Sequence, residues 1–127
     1  MKVLLDTHTF LWFINDSPQL SDTVRGLLTS DVDALLSIAS LWEIAIKVGL
    51  NKLTLPTSFD TFIPEQLSLN DIEILPIRIE HLAIVPQLPL HHRDPFDRLL
   101  AAQALVETIS LLSVDAIFDR YTVNRIW

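Results

Sequence analysis

An α/β fold, with a mostly parallel central sheet and helices on both faces, is predicted by three features of the sequence. Short apolar runs alternate with longer helical patterns along the 127 residues, as strands joined by helical crossovers do. The strand candidates are apolar throughout rather than alternating, the composition of strands covered on both faces. Half of the residues are hydrophobic, and a chain of this length holds one domain with a sizeable core.

Val3–Leu5 reads as the first strand, ended by Asp6. Thr7 to Asn15 follows as a helix carrying Phe10, Leu11, Phe13 and Ile14, and Ser21 caps a second helix that runs through Thr29. Ala34–Ile38 is a buried strand. Ser40 and Glu43 have the spacing of a capping box and open a helix through Val48 that stops at Gly49. Pro56 and Pro64 interrupt the next stretch, where a short helix is expected over Phe59–Leu69. Ile72–Leu75 is a strand, and Glu80–Val85 a short helix closed by Pro86 and Pro89. Asp94-Pro95 is a strong helix start, an N-cap followed by proline at the first helical position, and this helix runs to about Glu107. Ser110–Val114 and an edge strand over Val123–Ile126 complete the sheet. No linker, repeat or charge block divides residues 1–127, so a single domain is expected.

Composition removes several classes of function. There is no cysteine, hence no disulfide, cysteine zinc site or thiol nucleophile. The two glycines, Gly26 and Gly49, cannot build a phosphate loop or a dinucleotide fingerprint. No apolar run approaches the roughly 20 residues of a spanning helix, and Asp6 cuts the N-terminal apolar stretch too early for a secretory signal. A soluble, cytoplasmic domain with no membrane partner is expected, with a net charge of −7.

In parallel sheets, ligands bind outside the carboxyl ends of the strands. Asp6 ends the first strand and Asp115 follows the Ser110–Val114 strand, so both project at one rim. Glu43 and Asp97 each lie about one turn inside a helix that starts near the same rim. Two carboxylates about 4 Å apart repel by about 4 kcal/mol at an effective dielectric of 20, so four acids there call for a counter-charge. Oxygen ligands without cysteine select a hard divalent cation, Mg²⁺ or alternatively Mn²⁺, and such ions suit phosphoryl chemistry. Each acid also has a plainer reading as a cap or turn former. Asp94 reads mainly as a cap. Glu43 interrupts the apolar series Leu41, Trp42, Ile44, Ala45, Ile46, and an acid partly buried among such neighbours needs a reason.

The stretches LLDTHTFLW (4–12), SIASLWEIAIKVGLNKL (37–53), LPLHHRDPFDRLLAAQAL (88–105) and SVDAIFDRY (113–121) closely resemble PIN-domain proteins, above all ribonuclease toxins of the VapC type from toxin–antitoxin pairs. The likeness runs in order along nearly the whole chain and is weakest over 54–87. It implies a three-layer, Rossmann-like PIN domain that hydrolyses RNA phosphodiester bonds with metal-activated water, leaving a 5′-phosphate. It places the family's acidic quartet on Asp6, Glu43, Asp97 and Asp115, both as metal ligands and as the catalytic set. Thr7 and Ser113 match the family's hydroxyls beside the first and last aspartates. Apart from the resemblance, Asp94 and Asp119 stand near these acids as candidate supporting groups, Asp119 reading more readily as a solvated residue. A cognate antitoxin and a homodimer are the implied protein partners.

The charge balance sits awkwardly with RNA, because phosphate neutralisation supplies much of the affinity of nucleic-acid binders. Arg93, Arg98 and Arg120 lie near the acidic motifs and offer a local phosphate-binding rim, with Arg93 and Arg98 as the RNA contacts. Their plainer reading is ordinary pairing with Asp94, Asp97 or Asp119. His91 and His92 could contact phosphate or act as acid and base, but read more readily as polar loop residues, while Trp12 and Trp42 read as core or dimer-interface residues rather than base-stacking ones. Two alternatives to the nuclease remain: a non-catalytic binding module of the same fold, and a phosphate-transferring α/β enzyme. The second lacks an aspartate two residues after Asp6, where His8 stands, and lacks any lysine after Lys52.

Overall fold

The computed structural model describes all residues, 1–127. Five strands, β1 (Lys2–Leu5), β2 (Asp33–Ser37), β3 (Ile72–Leu75), β4 (Ser110–Leu112) and β5 (Arg125–Ile126), form one sheet in the order β3-β2-β1-β4-β5. Every neighbouring pair is parallel. The connections are α1 (Thr7–Ile14), α2 (Asp22–Leu28), α3 (Ile38–Gly49), α4 (Phe59–Leu69), α5 (Ile79–Ile84) and α6 (Pro95–Glu107), with 3-10 turns at Val85–Gln87 and Ala116–Arg120. Successive side chains of β1 enter opposite layers. Val3 and Leu5 join a core with Phe10, Val24, Ile44 and Phe62, whereas Leu4 packs with Leu100, Ala101, Ala104 and Phe118. Helices α1 to α4 therefore supply most of one layer and α6 most of the other, with the sheet between them. No helix is long and apolar enough to cross a membrane.

The strand order reverses at β1, which pairs with β2 on one side and β4 on the other. A crevice at the carboxyl ends of β1 and β4 is the place where such sheets accept ligands.

Three details depart from the sequence reading. The cap of α3 is Ser37, whose hydroxyl accepts from the Ala39 N–H. Strand β2 thus passes into helix without a loop, and Ser40 lies inside the helix rather than opening it. The stop at the other end is not a glycine conformation, because Asn51 takes the left-handed backbone at φ 57°, which asparagine tolerates better than most residues. Strand β4 ends at Leu112, so Asp115 stands past the strand on a turn in which the Ser113 hydroxyl accepts from the Asp115 N–H. Of the two places the sequence leaves for Trp42, the core is excluded, since it is 60% exposed, with its ring edge-on to Phe96 at 5.2 Å. Trp12 packs against Trp127.

Helix α6 is anchored at its far end by a polar staple. His81 is fully buried, its Nδ1 accepting from the Arg78 N–H at 3.0 Å and its Nε2 lying 2.9 Å from Glu107 Oε1. Arg78 also bonds Glu107 at 2.8 Å. Replacing the ring leaves a half-buried N–H without its acceptor and a carboxylate without its imidazole donor. His81→Ala is expected to cost about 2–3 kcal/mol, read as a lower midpoint of urea unfolding; an unchanged midpoint contradicts the staple.

Candidate active site

The acidic residues reach the crevice from both sides of the chain reversal. Asp6 follows β1 directly and caps α1, its Oδ1 accepting from the Thr9 N–H at 2.8 Å. Thr9 in turn donates its hydroxyl to the Leu112 carbonyl at 2.8 Å, tying the start of α1 to the end of β4. Thr7 donates its hydroxyl to Glu43 Oε1 at 2.6 Å, with Ser40 Oγ 3.0 Å from the same hydroxyl. The other oxygen of Glu43 pairs with Lys47, one turn along α3, at 3.1 Å. Asp6 and Glu43 are both buried. Hydrogen bonds from α1 and α3 thus account for the acid that interrupts the apolar face of α3.

On the other side, Asp94 caps α6 through the N–H groups of Phe96 and Asp97. Asp97 in the first turn projects toward Asp115, and His92 stands between them. Its Nε2 is 3.0 Å from Asp97 Oδ2 and 2.9 Å from Asp115 Oδ2. Asp115 Oδ1 accepts from the Ile117 N–H at 3.0 Å and so caps the following 3-10 turn.

Electrostatics join the two halves. Burial, then the neighbouring carboxylates of Asp94, Asp6, Glu43 and Asp115, push the Asp97 carboxyl from 3.8 up to about 8. Of the four acids, only Glu43 has a lysine or arginine ion pair. Oxygen donors around uncompensated negative charge are the donor set of a hard divalent cation, so the residues present fit Mg²⁺ or Mn²⁺. Donor atoms of His92, Asp97 and Asp115 all lie within 4.8 Å of one another. The same closeness holds for Glu80, His81 and Glu107, but there both imidazole nitrogens already have protein partners and Arg78 pairs with Glu107.

Other expected residues fall into distinct places. Asp119 is exposed and paired with Arg125 at 2.8 and 2.9 Å, a contact that holds its carboxyl below the usual range. Arg98 bonds the carbonyls of Val85, Leu88 and Pro89, so its guanidinium braces that loop instead of lining a rim. Arg93 is exposed beside the acids. His91 lies against the Tyr121 ring. His92 is the residue the sequence reading misplaced as a loop filler; its position two residues before the cap of α6, at the binding rim, was the available signal.

A carboxyl with a raised pKa makes the metal-free fold pH-sensitive. Between pH 4 and 8 folded Asp97 keeps a proton that the unfolded chain has released, so stability declines as pH rises through that window. Asp97→Asn is expected to flatten this decline and to raise the Tm at pH 8 in EDTA relative to the parent. Parallel pH profiles of the two proteins contradict it.

A family model described as PIN domain matches residues 3–124. Among solved structures, the chain is similar to VapBC2 from Rickettsia felis bound to a DNA fragment from their promoter, with a TM-score of 0.74, 20% identity, and coverage of 99% of this chain and 98% of that one. It is also similar to FitAcB from Neisseria gonorrhoeae, with a TM-score of 0.71, 23% identity, and coverage of 98% and 96%. A toxin–antitoxin complex from Klebsiella pneumoniae gives a TM-score of 0.66 at 13% identity, covering 98% and 96%. Among curated proteins none matches the sequence significantly. The family match spans almost the whole three-layer parallel sheet and the acidic rim built on it, and the chain belongs to the PIN domain family.

Proposed function

We propose that this PIN domain is a metal-dependent endoribonuclease, acting as the toxin of a toxin–antitoxin pair. One observation carries the reading. Acids from four separate segments lie close enough that, after burial and Asp94, the carboxylates of Asp6, Glu43 and Asp115 each push the Asp97 carboxyl upward, while Asp97 and Asp115 meet at the same imidazole nitrogen. Asp6, Asp97 and Asp115 would hold Mg²⁺ or Mn²⁺, with Glu43 beside them. The bound ion would lower the pKa of a water and stabilise charge growing on the phosphate.

The chain's own residues prepare that chemistry. The Thr9 N–H fixes Asp6, and Thr7 and Lys47 fix Glu43 at both of its oxygens. Held in this way, Glu43 would orient the attacking water, and in-line displacement of the 3′ oxygen would give a 5′-phosphate product. Since this displacement needs no 2′-hydroxyl, choice of RNA over DNA falls to binding contacts.

Those contacts have a candidate seat. Lys47, Lys52 and Arg93 share an open cleft of about 410 Å³ with Glu43, Asp94 and Phe96. A chain of net charge −7 with nine basic residues therefore has three of them facing one hollow beside the acids. That placement supports an RNA strand whose phosphates run along Lys52 and Arg93.

A protein partner is supported by a neighbouring feature. An apolar groove of about 460 Å³ is lined by Trp42, Leu82, Val85, Pro86, Phe96 and Leu99, large enough to seat apolar side chains of an antitoxin or of a second copy. The likeness in fold to a toxin–antitoxin complex agrees with that reading.

Two experiments test the proposal. Asp6→Asn and Asp97→Asn are expected to lower Mg²⁺- or Mn²⁺-dependent cleavage of total RNA by on the order of a thousandfold, the scale of losing a main electrostatic stabiliser, with far-UV CD unchanged. EDTA is expected to abolish cleavage by the parent; full activity in EDTA or in the folded variants refutes the reading. Lys52→Glu with Arg93→Glu is expected to raise KM for single-stranded RNA. Each lost phosphate contact should also flatten the salt dependence of binding by about 0.7 in log–log slope. An unchanged slope removes the cleft from the RNA path.

A further inference from the structure

His92 is placed by more contacts than a loop histidine needs. Its own N–H donates to the Tyr121 hydroxyl at 3.0 Å, and that hydroxyl donates to the Pro89 carbonyl at 3.0 Å. Arg98 clamps the same loop through the carbonyls of Val85, Leu88 and Pro89. The loop is therefore fixed on both sides before it reaches Asp94.

The ring itself has one acceptor and one donor edge. The main-chain N–H of Asp94 points at Nδ1 at 3.2 Å, so Nδ1 must present its lone pair. The proton then sits on Nε2, the nitrogen lying 2.9 Å from Asp115 Oδ2 and 3.0 Å from Asp97 Oδ2. An imidazole locked in this tautomer offers a proton, not a lone pair, to the crevice. It bridges α6 to the turn after β4, two elements whose carboxylates would otherwise push apart.

We propose that His92 is a positioning residue for the metal centre: an Nε2–H donor that holds Asp97 and Asp115 at ligand spacing without itself ligating the ion. This rests on the metal-dependent reading above. Donors to ligating carboxylates act through such orientation, and their loss commonly weakens metal binding by about 10- to 100-fold. The Phe118 ring, 5.6 Å from the imidazole, and the Tyr121 anchor keep the ring from turning over to expose Nδ1.

The test is Mn²⁺ binding to the RNA-free protein, by titration calorimetry and by pulsed EPR of the bound ion. His92→Ala is expected to weaken Mn²⁺ binding about 10- to 100-fold. His92→Gln, whose amide N–H reaches the place of Nε2–H, is expected to recover most of the loss. The parent's EPR spectrum is expected to lack the strong nitrogen coupling of a directly coordinated imidazole. That coupling, if seen, makes His92 a ligand and overturns the proposal. So does an unchanged Kd in folded His92→Ala, or, should that variant not fold, folded His92→Gln binding Mn²⁺ about 10- to 100-fold more weakly than the parent. A parent that binds no Mn²⁺ at all sinks the metal-dependent function itself, an outcome distinct from one in which binding is intact and indifferent to residue 92.

Discussion

Crowding of carboxylates at the end of a parallel sheet is the constraint around which the rest of this molecule is arranged. Like charges in a partly buried crevice repel, and here burial first and that repulsion second push the Asp97 carboxyl up to about 8. The fold tolerates the arrangement because each acid has a second, structural attachment. Asp6 Oδ1 caps α1, Asp94 Oδ1 caps α6, and Asp115 Oδ1 caps the turn that follows. A carboxylate has two oxygens, so one can satisfy the orphan N–H groups of a helix start while the other faces the crevice. The positive end of a helix dipole also favours an anion there. Cap and functional acid are therefore not rival descriptions of Asp6 or Asp115, but two edges of the same side chain.

Helix α6 shows how the distant parts of the fold serve that crevice. Its first turn carries Asp97, while its last turn carries Glu107 in the staple with His81 and Arg78. Between them Leu100, Ala101 and Ala104 pack on the sheet with no exposure to speak of. A rod fixed at both ends and along its length does not yield to repulsion at one end. Gln103, on the same helix, donates to the Pro76 carbonyl but has no donor for its Oε1. That unmet acceptor is a small cost accepted for joining α6 to the segment leading into α5.

Much of this was legible in the sequence, for reasons that can be named. The apolar runs 3–5 and 72–75 and the Asp94-Pro95 start depend on local rules, namely burial on both faces and the fixed φ of proline, and the structure follows them. The helix over Phe59–Leu69 was readable despite Pro64, since Phe62, Ile63 and Leu67 keep the helical spacing and are buried. What was not legible depends on partners far along the chain. Ser40 looked like a cap because its spacing to Glu43 fits one; only the Thr7 hydroxyl, 33 and 36 residues away in sequence from Ser40 and Glu43, shows that both belong to a buried network. Arg98 looked free because the carbonyls that hold it come from an irregular loop. His92 looked like filler because no periodicity marks a loop side chain, and its tautomer follows from one main-chain N–H that sequence cannot place.

The negative net charge, which seemed to argue against a nucleic-acid substrate, takes on a different meaning once the charges are located. Arg25, Arg78 and Arg125 are tied in ion pairs with Asp16, Glu107 and Asp119, so they add little field at the crevice. Lys52 and Arg93 gather in a single cleft beside Lys47, which is itself paired with Glu43, so what free positive potential borders the acids is focused there. The net charge of −7 works against polyanions over the molecule as a whole. On the proposed function, affinity for generic RNA would be low, and a strand would be held where it can lay its backbone along one short basic edge while a dication offsets the acids beside it. For a nuclease, that arrangement makes selectivity a property of geometry at the crevice instead of bulk attraction. It also means that a partner covering the cleft and the adjoining apolar groove would remove the one favourable path at a stroke.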